Sequence, residues 1–157
     1  MNNTNKAAAA LLAAGLGAGA IVWAQTEVPL DKVEQAIEYR QNVMKAIGGL
    51  AGTSVGQIRD GFAHGPELTA VAAGLQALTR DIPSLFPEGS DFGETDAKSE
   101  IWEDWDTFEQ RAVSTRDAVD AFAASVEQGD RTEMLRAFKD MGDACKACHE
   151  DFRKEQD

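Results

Sequence analysis

The chain has 157 residues, enough for one hydrophobic core and too few for two full domains. It carries 15 Lys and Arg against 27 Asp and Glu, a net charge of -12, which argues against nucleic acid and anionic membrane as partners, since both are polyanions. Its two cysteines exclude a disulfide-dense scaffold.

Residues 1–24 read as an export signal. The first five residues are polar, Lys6 supplies the positive charge, and Ala7 to Val22 is an apolar run without charge. Val22-Trp23-Ala24 puts a small residue before Gln25, so cleavage is expected after Ala24. An uncleaved anchor is the competing reading. The run is near the lower length limit for a span, and Gly15, Gly17, Gly19 and many alanines weaken its apolar character. Export would place the domain at 25–157 in the periplasm, outside the reducing cytosol and with no membrane segment left.

After residue 25 the apolar positions step by threes and fours, the mark of a stripe down a helix. Val33, Ile37, Arg40, Met44, Ile47 and Ala51 form the first stripe. Leu68, Val71, Leu75, Leu78 and Ile82 form the second. The third runs through Ile101, Trp105, Phe108, Ala112, Thr115, Val119, Phe122 and Val126. The fourth is Met134, Phe138, Met141, Cys145, Cys148 and Phe152. Gly52 to Gly65 predicts a loop, Pro66 suits a first helical residue, and Pro83, Pro87, Gly89 and Gly93 make 83–97 the longest connection. Gly129-Asp130 predicts a tight turn. The expected fold is all-α: one up-down-up-down four-helix bundle, with helices near 30–51, 66–82, 98–128 and 131–154.

The chemistry concentrates in Cys145-Lys146-Ala147-Cys148-His149. Cys-x-x-Cys-His is the attachment signature of a c-type haem. Two thiols one helical turn apart reach the two vinyl groups of a porphyrin, and His149, four residues after Cys145, can coordinate the iron. Both cysteines lie on the apolar seam, which would put the haem inside the bundle. A local disulfide competes. So does zinc, but Cys145, Cys148 and His149 make three ligands where a structural site needs four, and His64 sits in an expected loop. A thioredoxin-type redox pair would want a βαβ pattern, which the sequence lacks.

With this motif near the C-terminus, behind a leader and four helices, the chain resembles the class II cytochromes c, specifically cytochrome c′. The resemblance covers most of 28–154. It includes Tyr39-Arg40-Gln41, Leu85-Phe86-Pro87, Thr95-Asp96-Ala97-Lys98 leading into Ile101-Trp102, and the stretch from Cys145 to Arg153. It implies one covalently bound haem c, diatomic gas ligands such as NO and CO, and a homodimer formed through the first two helices. It places Arg40 and Gln41 beside the haem, the 95–96 region with Asp96 near its edge, and Arg153 on the proximal side.

Arg40 interrupts an apolar seam, where a charge is costly unless it finds an anion. A haem propionate would serve, through two hydrogen bonds to the guanidinium; the alternative is that the long stem carries the charge to water. Asp96 would repel a propionate, so its expected contact is through backbone. Arg153, four residues after His149, either faces the haem or opposes the helix dipole. Met44 lies one turn after Arg40. As a sixth ligand it would make the protein a low-spin electron carrier; as a core filler it would leave the iron five-coordinate and open to gases. The resemblance favours the second reading. From Glu88 to Glu109 nine acids accompany one Lys, a solvated face or a docking face for a basic redox partner. No nucleophile–base set stands out, so the chain is not expected to be an enzyme.

Overall fold

The computed structural model describes residues 30–60 and 65–155. The leader at 1–24, its cleavage site and His64 lie outside the described residues. Four long helices build the molecule: α1 (Leu30–Asp60), α2 (Gly65–Thr79), α4 (Trp105–Gln128) and α5 (Arg131–Phe152). A 3-10 turn (Pro83–Leu85) and a one-turn helix, α3 (Glu100–Glu103), interrupt the long connection between α2 and α4. The helices form the expected up-down-up-down bundle, and their predicted stripes supply most of the buried faces.

All four helices differ from expectation at a boundary, each for a local reason. The first helix continues nine residues beyond 51. Its glycines are outweighed by continued burial: Ser54 and Ile58 extend the inward face, and Ile58 is 1 % exposed. Ser54 and Thr53 return their hydroxyls to the carbonyls of Leu50 and Gly49, so neither polar side chain breaks the helix. The third helix, expected from 98, splits at Asp104. That residue leaves helical geometry and caps α4, its carboxylate accepting from the Thr107 amide at 3.3 Å. The last helix ends at Phe152, two residues early, because Arg153 is extended and pairs with Ala97. The second helix also stops short, at Thr79, ahead of Pro83, which has no N–H to continue the ladder.

The Gly129-Asp130 turn forms as expected. Gly129 adopts φ 77°, a left-handed cap that suits glycine, and the Asp130 carboxylate accepts from the amides of Thr132 and Glu133 to start α5.

The core has two ends. One joins the far part of α1 to α2, α4 and the first half of α5, around Ile58, Leu75, Phe122 and Met141. The other gathers aromatic residues from the long connection, α4 and the end of α5. There Phe86 and Phe152 each meet the Phe108 ring edge-on, at 4.9 and 5.4 Å between centroids. The Cys-x-x-Cys-His segment lies where these two ends meet.

Candidate functional site

Cys145 packs against the first core cluster and Cys148 against the aromatic one. Both are free and half-buried. Burial pushes both thiols up. Cys148 reaches about 11, with Cys145 and Asp151 adding to the effect and Arg111 opposing it. An uncharged sulfur is therefore favoured at both positions. Thioether formation gives such a sulfur, whereas a zinc site would need thiolates in the same apolar setting. Among the described residues, no group of three His, Cys, Asp or Glu is arranged to hold a metal ion.

His149 follows on the same helix. It is exposed to solvent, yet the protein around it desolvates the ring enough to lower its pKa, and the charge of Arg153 lowers it further. Both effects favour the neutral imidazole, the form that ligates iron. Met44 stands on α1, half-buried against the same aromatic cluster as Cys148. Of the neighbouring pairs of long helices, α1 and α5 meet least closely. Met44 from α1 and Cys148 from α5 pack on the same aromatic cluster, with Cys145 one turn earlier on the other cluster. A flat, apolar ring held at one edge by two thioethers fits that setting.

Arg40 does not reach water. It is 3 % exposed, and its guanidinium lies 4.6 Å from the centre of the Phe86 ring. It donates through Nη1 to the Ser90 hydroxyl at 2.9 Å, and through Nη2 to the Ser90 carbonyl at 3.0 Å and the Thr95 hydroxyl at 2.7 Å. Gln41 donates to the Glu94 carbonyl at 2.7 Å. Adjacent residues of α1 thus grip the long connection at three places. These partners of Arg40 are neutral, so the buried charge is hydrogen-bonded without being neutralised by them.

Replacing Arg40 with Leu strands Ser90 and Thr95. The expected loss of holo-protein stability is about 3 kcal/mol, the upper end for hydrogen bonds to a charged group. Arg40→Lys should recover only part, since an ammonium cannot reproduce the fork. Denaturant melts compare the three proteins directly, and equal midpoints for wild type and Arg40→Leu would remove the grip from the account.

Asp96 and Arg153 come together at the end of α5, with 3.5 Å between carboxylate and guanidinium. The Asp96 carbonyl accepts from the Lys154 amide at 2.8 Å, so its main chain is engaged as well. Arg153 is extended, and it neighbours His149 from beyond the last turn of the helix. The sequence gives no role to Ser90, because a small hydroxyl in a loop carries no spacing signal, and it places Thr95 only through the resemblance, near the haem edge and not against Arg40. It gives none to Lys98 either, which proves to hold the end of the motif-bearing helix.

Comparison with known proteins agrees with this geometry. The family described as Cytochrome C' matches residues 35–153. Cytochrome c′ of Pararhodospirillum photometricum is 32% identical over 122 residues, which span 77% of this chain and 98% of that one. A nitric oxide complex of a cytochrome c prime variant from Alcaligenes xylosoxidans superposes with a TM-score of 0.73 at 29% identity, covering 79% of this chain and 97% of the other. Cytochrome c′ from Thermochromatium tepidum gives 0.74 at 26% identity, covering 78% and 97%. With matches that span almost the whole relatives and a Cys-x-x-Cys-His motif whose cysteines pack on the two core clusters, the chain belongs to the cytochrome c′ family and carries one covalently attached haem c.

Proposed function

We propose that the protein is an exported cytochrome that binds small uncharged gases such as NO and CO at its iron and also exchanges electrons, without acting as an enzyme. Bound through Cys145 and Cys148, the haem would supply an iron that His149 would ligate, with Met44 of α1 bordering it. Cys145 and Cys148 fix the ring edge, and His149 offers its neutral nitrogen. Arg40 and Gln41 border the ring from α1, where the un-neutralised guanidinium would also draw a propionate. Asp96 meets the haem edge through its backbone, and Arg153 guards the proximal side.

The packing of Met44 carries the gas-binding reading. Met44 lies against the cluster of Phe86, Phe108 and Phe152, so a ligand approaching from α1 meets hydrocarbon and thioether. Such a setting admits a small neutral diatomic and penalises charged ligands, which would shed hydration without compensation. The nitric oxide complex solved for the Alcaligenes relative supports the same ligand class. The leader, cleaved after Ala24, would deliver the chain to the periplasm. Among the described residues, no helix is long and apolar enough to cross a membrane. The nine acids from Glu88 to Glu109 are all exposed and would attract a basic redox protein. A homodimer through α1 and α2 rests on the family resemblance.

The absorption spectrum of the purified holo-protein tests this function. A high-spin ferric spectrum is expected, with a change on adding NO. A low-spin spectrum with a thioether–iron band would make Met44 a ligand and leave an electron carrier in place of a gas binder.

A further inference from the structure

An α-helix ends with four carbonyls that have no partner within it. At the end of α5 these belong to His149, Glu150, Asp151 and Phe152, the turn that begins at the proposed iron ligand. The His149 carbonyl accepts from the Arg153 amide at 3.0 Å. The other three all accept from Lys98, which lies about fifty residues earlier. Its ammonium donates to the carbonyls of Glu150 at 2.9 Å and Asp151 at 3.1 Å. Its own amide donates to the Phe152 carbonyl at 3.0 Å. The cation also sits at the negative end of the helix dipole, where a positive charge is favourable.

The clasp is reciprocal. Lys154, just past the helix, donates through its amide to the Asp96 carbonyl and through its ammonium to the Thr95 carbonyl at 2.9 Å. Thr95 is in turn held by Arg40 on α1. Hydrogen bonds therefore link Arg40 of α1, through Thr95, to Lys154 just beyond the turn that carries His149.

We propose that Lys98 is a positioning residue for the iron ligand: by capping the last turn of α5 it fixes the imidazole of His149 and resists its release when a gas binds on the opposite side. The proposal rests on His149 holding the iron. In a helix that ends freely the last turn frays, and a ligand on that turn moves with it. With two of these carbonyls bonded to the Lys98 ammonium and the third to its amide, the turn stays closed, and the imidazole is held against release when a gas binds.

Lys98→Met tests this, since it keeps the aliphatic stem and the backbone amide and removes only the ammonium. Hydrogen exchange at residues 150–154 should quicken in the holo-protein. The iron–imidazole stretching band of the ferrous protein should broaden or shift in resonance Raman. Release of His149 after adding NO, followed in the Soret region, should speed roughly tenfold, the effect of losing part of a charge-assisted hydrogen bond. CO association on the Met44 side should stay as in wild type, and Lys98→Arg should restore most of the band. Faster exchange with an unchanged imidazole band and release rate would overturn the proposal and leave Lys98 a purely structural cap. Unchanged exchange would overturn it too. A protein that takes up no NO would refute the gas-binding reading, while the imidazole band would still decide the role of Lys98. A spectrum indifferent to His149→Ala would refute the ligand assignment itself.

Discussion

The Cys145→Ala/Cys148→Ala protein is expected to emerge from export without covalent haem. Each thioether uses one sulfur, and nothing else in the chain forms a bond that survives denaturation. Cys148→Ala alone should keep at most one bond and hold the group poorly. Denaturing electrophoresis with a haem stain reads all three proteins, and full staining of the double variant would end the haem c assignment. Loss of the ring should cost stability as well. The two core clusters would lose the haem bonded to Cys145 and Cys148 between them, and anything that binds only the folded chain stabilises it. A thermal melt of the double variant should therefore fall well below that of the holo-protein.

Much of the bundle was legible in the sequence, because its stripes are regular and its breaks carry turn chemistry. Gly129-Asp130 shows this well: the left-handed glycine and the capping aspartate are both visible as residue types. The errors fall where two local signals compete. Gly52 and Gly56 suggest a loop, yet Ile58 is almost fully buried, and burial outweighs propensity. Asp104 breaks the third stripe in a way the 3-4 rhythm conceals, since Ile101 and Trp105 stay in phase across the cap. The early end of α5 depends on pairing with Ala97, a contact between segments more than fifty residues apart that no local pattern encodes.

The candidate site divides in the same way. Cys145, Cys148 and His149 fall within five residues of one helix, so their order and spacing state their chemistry. Arg40 was visible as a charge on an apolar seam, and its burial follows from that place. Its partners were not visible. Ser90 and Thr95 come from a loop whose path depends on tertiary contacts, and they give the guanidinium neutral oxygens before any propionate is considered. The grip explains how one buried charge is tolerated on α1: three oxygens around it are already fixed by the loop, and Phe86 covers its face.

Met44→Ala is expected to produce the largest functional change. Met44 is half-buried against aromatic side chains, and in the gas-binding reading it fills the space above the iron. A ligand entering there must push the thioether aside. Overpacking of that kind costs about 1–3 kcal/mol, so truncation should raise CO and NO association roughly tenfold to a hundredfold. Met44→Leu conserves volume and should leave both the high-spin ferric spectrum and the association rate close to wild type. If Met44 instead ligates iron, the pattern reverses. Wild type is then low-spin, Met44→Leu turns it high-spin, and the reduction potential falls, because a thioether ligand favours reduced iron. The two substitutions thus separate blocking from bonding: a blocking side chain is sensitive to lost volume and indifferent to lost sulfur, and a ligand is sensitive to lost sulfur whatever its volume.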